Sequence, residues 1–416
     1  MAILLAIIAM TVPVLGFFLT LSYFNQYKQV IPSALLCGLS FSAAIYGYIP
    51  DAGNDIFRHI SNMKLYMDIP FWDAFDFLKT DASHLSGVYV WDAWLWIIAQ
   101  VGNQYLLQAS GAFVGYAITT YMVFDYAKKK QIPSKKWLPM LLFFLAFTSP
   151  TNLSIGIRSG NAFLISVLAL YRFYIEKATK GSTLLLFLLA FFLHHSIIVI
   201  IAIWLAFPIL IRFKALSIIF IVAGLTIFSD YENYLYLLAS SGMDSTGALS
   251  NTMYSASVYQ SMDFNNSVHA ITDLVWRLFC AGFLLYLSRK LILFSGDNSS
   301  DGKVTWEYKL YHLSLFIYIL SITFVPLIGN NGMRFINVVY LLCLLILMND
   351  KFRFWGAKKE SFPLSSALLI IICVGNVMFF AYNMNWGSGS LKSFAISSLL
   401  GYSSRIFFDG YVTTNS

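Results

Sequence analysis

The chain has 416 residues, 58% of them hydrophobic and 11% charged, with a mean hydropathy of +0.70 and a formal net charge of +7. That is too little charge to cover a water-soluble domain of this length. Nor does the positive balance point to nucleic acid, because the basic residues sit in short clusters between apolar runs, the pattern of cytoplasmic loops.

Apolar runs near 20 residues recur along the chain, each able to cross roughly 30 Å of hydrocarbon as a helix. They are continuously apolar rather than alternating, which favours helices over a barrel. The expectation is an all-α, polytopic integral membrane protein: one transmembrane domain over 1–416, with roughly 11–13 spanning or re-entrant helices and the N-terminus outside. The first run, Ala2 to Leu21, has no basic leader and no small-residue cleavage site, and reads as a retained helix running inward to the Lys28 loop. A helix over 31–49 returns, and residues 50–87 form an external segment rich in Asp and aromatics. Residues 88–101 and 104–125 both read as helical, yet two crossings would carry Lys128, Lys129, Lys130, Lys135 and Lys136 outside. The first of the two therefore reads as interfacial or re-entrant, with Trp91, Trp94 and Trp96 at headgroup depth or, in a second reading, as a sugar platform. Asp92 is the odd residue there, read as a local hydrogen-bond partner.

Crossings follow over 137–151 outward and 160–176 inward, back to Arg172, Lys177 and Lys180. As a single helix, 182–211 would place Arg212 and Lys214 outside. Broken at His194-His195-Ser196 it goes out and returns, its first arm reaching only ~18 Å at 1.5 Å per residue. The histidines then lie in the outer leaflet, where irregular backbone is tolerated only against protein or a wet cavity. Next come 215–229 outward, an external loop over 230–270, and crossings over 271–290, 310–328, 335–349 and 363–381. A tail over 382–416 stays outside, amphipathic around Leu391–Ile406 and suited to the membrane surface. Cys37, Cys280, Cys343 and Cys373 all fall in apolar runs at spacings of no metal site, so neither a disulfide nor a metal is expected. No strong internal repeat speaks for an inverted-repeat transporter.

This threading gathers the unusual polar residues on the outer face. They are Asp51, Asn54, Asp55, Arg58 and His59 after the second helix, Arg158 ahead of 160–176, His194 and His195, and Arg334 ahead of 335–349. Charges at or inside apolar segments are costly and functional by default. Outward arginines also run against the positive-inside bias and call for an anionic partner. Plainer readings stand beside these: a solvated loop over Asp51–His59, snorkelling for Arg158 and Arg334, and a packing role for the histidines.

Two stretches carry a resemblance. The first is Ile157-Arg158-Ser159-Gly160-Asn161-Ala162, followed by a helix, the Glu176–Lys180 loop and an apolar arm ending Phe192-Leu193-His194-His195-Ser196. The second is Gly53-Asn54-Asp55-Ile56-Phe57-Arg58-His59. In this combination the chain resembles the Wzy/EpsG-type family of bacterial polysaccharide polymerases, with Ser159 where the family usually has Gln and no Glu-Pro before 88–101. The resemblance implies a glycosyltransferase of the bacterial inner membrane with its site facing the periplasm. Its substrate would be an undecaprenyl-pyrophosphate-linked oligosaccharide, and its partners the membrane lipid and a chain-length regulator. In that chemistry pyrophosphate leaves readily, so the need is for guanidinium groups that hold its developing charge. Arg158 and Arg334 are the candidates, with Arg58 third. The acceptor hydroxyl needs a base near neutral pH, and His194 fills the family's histidine position two residues before Ser196. His195 and His59 are alternates. Asp55, Arg58, His59, His195 and Tyr254 are expected to contact substrate, Tyr254 from a tyrosine-rich loop that reads equally as a cap. No cofactor or metal is expected. An O-antigen ligase, a flippase or transporter, and a non-catalytic scaffold are the rival classes.

Overall fold

The first apolar run is two helices rather than one. α1 (Ala2–Thr11) ends at Val12, and α2 (Pro13–Tyr27) starts on a proline, whose fixed φ suits a first helical position and whose missing N–H cannot continue the preceding helix. This corrects the continuous helix expected over 2–21. α2 ends where Lys28 turns left-handed, its N–H donating to the Phe24 carbonyl at 2.8 Å.

The computed structural model describes residues 1–47, 55–67, 69–70, 72–73, 88–148, 150–154, 156–213, 219, 267–297, 305–323, 331–349 and 398–403. Among them every regular element is a helix and none is a strand, so the chain is all-α. After α3 (Val30–Tyr46) and α4 (Asp55–Leu65) come α5 (Tyr89–Val101), α6 (Tyr105–Lys129), α7 (Ser134–Phe147) and the short α8 (Pro150–Ser154). α9 (Ile157–Tyr174), α10 (Lys180–Leu193) and α11 (Ile197–Arg212) follow, then α12 (Ser267–Asp297), α13 (Trp306–Thr323) and α14 (Asn331–Leu347). Apart from residue 219, the spans expected over 215–229 and 363–381, Cys373, and the tyrosines at 231, 234, 236, 254 and 259 lie outside the described residues. α12 starts at Ser267, so the loop expected to reach 270 ends earlier.

Small residues draw α3 and α6 together. A Cβ added at Gly38 would lie 2.7 Å from the Phe113 carbonyl oxygen, and Gly111 of α6 makes a similar close approach to the Leu153 carbonyl of α8. Across the α3–α6 contact Phe41 stacks on Tyr116 at 3.9 Å, and Phe24 of α2 stacks on Phe124 of α6 at 3.8 Å. Cys37, Cys280 and Cys343 are buried thiols. Trp91 is fully buried, and the Trp94 and Trp96 indoles donate to Ser110 Oγ and the Ile69 carbonyl at 2.8 Å each. These rings are tied to protein, with Trp91 in the core. The described part of the tail, 398–403, packs on α1 and α3, where Tyr402 meets Ser42 at 2.6 Å.

Helix directions follow from which ends meet. The start of α6 lies against Leu153 and Ile157, while Asp125 and Tyr121, near its end, bond Tyr171 and Glu176. Thus α6 and α9 run the same way, α10 returns along α9, and the bundle has two chemically distinct ends. Large apolar side chains are left exposed around its outside, among them Ile3, Phe18, Leu185, Leu205, Leu285 and Ile292. Among the described residues no helix is both long and apolar enough to cross a membrane. α3, α11 and α14 have 17, 16 and 17 residues, about 24–26 Å at 1.5 Å per residue, a little short of a ~30 Å hydrocarbon core.

Candidate active site

α10 is capped at its start by the Thr179 hydroxyl, which accepts the Ser182 N–H at 3.3 Å. It stops after Leu193 because His194 takes an extended conformation, φ −156° and ψ 116°. The expected break at His194-His195-Ser196 is therefore real, and it turns the two histidines to different surroundings. His194 is half-buried, near the ring of Phe163, which itself meets Phe335 edge to face at 5.4 Å. His195 is exposed and lies against Phe191, ring centres 5.1 Å apart.

The His194 ring is held at both nitrogens. Nδ1 is 2.5 Å from Ser196 Oγ, and Nε2 is 3.3 Å from an Arg334 nitrogen. A guanidinium can only donate, so Nε2 faces a donor, and Nδ1 faces both the Ser196 hydroxyl and, at 3.3 Å, the Ser196 N–H. An imidazolium here would set two cations 3.3 Å apart, whereas a neutral imidazole is the form a general base requires.

Arg334 is in the first turn of α14 and Arg158 in the first turn of α9. Both were expected just ahead of their helices; the helices begin earlier and include them. A cation at a helix N-terminus opposes the positive end of the helix dipole. Gly156, the N-cap of α9, supplies no side-chain cap. Two arginines and two helix starts at one end of the bundle together make an environment that an anion would relieve. Arg334, Ser159, Gly160 and Phe163 also line a cavity of about 40 Å³, room for a few waters.

The start of α5 completes the site. Tyr89 packs on Phe192 with ring centres 5.7 Å apart, which brings α5 to the end of α10. Asp92 is 2% exposed, and its Oδ1 has no hydrogen-bond partner among the described residues. α5 is the helix read as interfacial rather than spanning. Burial there pushes the Asp92 carboxyl up, and Arg158 is the charge that pulls it back. His59 is 1% exposed, its ring edge-on to Trp91 at 4.7 Å. Arg58, the next residue along α4, is on the exposed side.

The structure therefore brings His194, Arg334, Arg158 and His59 to one end of the bundle and adds Asp92. An acid within an aromatic run was the available signal for Asp92. His195 and Arg58 are turned outward, and Tyr254 and the Asp55 side chain lie outside the described residues. No protein-family model, curated protein or solved structure matches the chain, so the likeness to the polysaccharide polymerases rests on the motifs alone.

Proposed function

We propose that the chain is a polytopic membrane glycosyltransferase that polymerises lipid-linked oligosaccharide repeat units at the periplasmic face of a bacterial inner membrane. The membrane part of the reading is supported by the composition and by the exposed apolar side chains ringing the helices, a surface suited to lipid. The helices of 16 and 17 residues become adequate where basic or aromatic flanks reach the interface. The observation that carries the catalytic part is the His194–Arg334 contact, which joins residues 140 apart in sequence. It pairs a neutral base with a phosphate-binding cation.

The pair explains how reaction waits for substrate. At rest Arg334 occupies the lone pair on His194 Nε2. Undecaprenyl pyrophosphate, a stronger partner for guanidinium than a neutral imidazole, draws Arg334 onto its phosphate oxygens together with Arg158. Nε2 is then free to accept the proton of the acceptor hydroxyl. The new bond forms between that oxygen and the anomeric carbon of the growing glycan, and the bond from that carbon to the bridging oxygen breaks. Its electron pair leaves with the pyrophosphate, held by the two arginines and the α9 and α14 N-termini. Ser196, beside Nδ1, orients the ring and its hydroxyl steadies the imidazolium that forms. Asp92 sets the Arg158 guanidinium as a positioning residue.

The test is purified protein in lipid with synthetic undecaprenyl-pyrophosphate-linked repeat units. The expected product is a ladder of chains differing by one repeat, with free undecaprenyl pyrophosphate released. A single transfer to an unrelated acceptor would mark a ligase, and no transfer would remove the enzymatic reading.

A further inference from the structure

A second cavity lies away from the histidine. It has a volume of about 360 Å³ and opens between the end of α3, the end of α4 and the turn from α5 into α6, within the roughly 300–1,000 Å³ range of small-molecule sites. Its walls are Tyr46, Lys64, Met67, Asn103, Gln104 and Tyr105. They are fixed in place. Gln100 Nε2 donates to the Tyr66 carbonyl at 3.1 Å, Trp96 pins Ile69, and Gln108 donates to the Ile45 carbonyl at 3.1 Å. Asn103 Nδ2 donates to the Tyr46 hydroxyl at 2.6 Å and its Oδ1 accepts the Tyr105 N–H at 3.1 Å.

These bonds leave a specific set of groups for a ligand. The Tyr46 oxygen accepts from Asn103 and keeps its own hydrogen to donate. No described residue bonds the Gln104 amide or the exposed Lys64 ammonium. The Tyr46 and Tyr105 rings stand edge to face at 6.3 Å, and Met67 adds an apolar wall. Neutral donors and acceptors beside aromatic faces suit a polyhydroxylated ring. One ammonium, with no guanidinium among the described lining residues, suits one carboxylate better than a phosphate, which favours planar forks or nests of N–H groups.

We infer that this cavity is a glycan subsite that holds a sugar carrying a carboxylate, read by Lys64, with its hydroxyls on Tyr46 and Gln104. The inference rests on the polymerase reading for its purpose, which is to grip the repeat unit away from the reacting bond. From Asp92 to Gly102 is about 15 Å along α5, so the subsite and the His194–Arg334 centre are separate but joined by one rigid helix.

The experiment uses the full chain in nanodiscs of neutral lipid. Two fluorescent probes are titrated, a glucose–glucuronic acid disaccharide and the matching glucose disaccharide. The acidic probe should bind about tenfold more tightly. Lys64→Gln should bring it to the neutral probe's affinity and leave the neutral probe unchanged, whereas Gln104→Ala and Tyr46→Phe should weaken both. Equal affinities in the wild type, or a Lys64→Gln variant that still prefers the acid, would overturn the assignment. Competition by phosphatidylglycerol in the nanodisc would also overturn it, in favour of a lipid headgroup. His194→Ala should bind both probes as the wild type does; loss of binding there would show one site and not two. Wild-type protein that binds the acidic probe without extending chains would strike the polymerase reading alone. Wild-type protein that extends chains without binding the probe would strike the subsite alone.

Discussion

Where α6 and α9 finish, Lys129 bridges Asp125 at 2.8 Å and Glu176 at 3.1 Å, and Arg172 meets Glu176 at 3.3 Å. Tyr121 and Tyr171 donate to the same two carboxylates. At the opposite end, where α9 and α14 begin and α10 stops, Arg334 leans on a histidine and Asp92 carries an oxygen with no hydrogen-bond partner among the described residues. The first end is a closed network in which cation and anion satisfy one another, as a structural cluster should. The second sets cations beside helix N-termini and a histidine, an arrangement suited to an anion. On the proposed function, the difference separates charge used for folding from charge that meets a substrate.

Five substitutions sharpen that contrast. His194→Ala should have the largest effect, cutting chain extension about 10²–10⁴-fold while donor binding persists, read by separate turnover and binding assays on lipid-linked repeat units. Arg334→Ala should cost about 10²–10³-fold and weaken donor binding as well. Arg334→Lys should rescue it poorly, because a point charge loses the bidentate fork to phosphate oxygens. At the closed end, Glu176→Gln should lower stability by ~1 kcal/mol, measured by thermal unfolding in detergent, with turnover per folded molecule unchanged. His195→Ala, on the exposed side of the break, should change turnover by less than about twofold. A large loss from Glu176→Gln or His195→Ala would erase the distinction between the ends.

Much of this contrast is legible from residue order, and some of it is not. Charge parity alone breaks the chain at His194, since an unbroken 182–211 would strand Arg212 and Lys214. It also singles out 88–101 as a helix apart. The Pro13 break is invisible to hydropathy because both sides are equally apolar. Trp91 reads as a belt residue because an interfacial indole and a buried one are the same residue type; only packing separates them. Arg158 and Arg334, expected just ahead of their helices, lie in the first turns instead, where a cation opposes the helix dipole. That local conflict is where a substrate would act. The contact between His194 and Arg334 spans 140 positions, and no local pattern announces it. The Tyr46–Gln104 cavity likewise depends on three chain segments meeting.

The central claim is that His194 and Arg334 form one catalytic unit, the arginine releasing the base as it takes the pyrophosphate. A double-mutant cycle on chain extension tests it directly, with His194→Ala, Arg334→Ala and the pair measured in the same lipid at saturating donor. The account predicts strong non-additivity, the double variant being about as slow as the worse single one. Fully additive losses would mean that the two residues act independently, and that the contact between them has no part in catalysis.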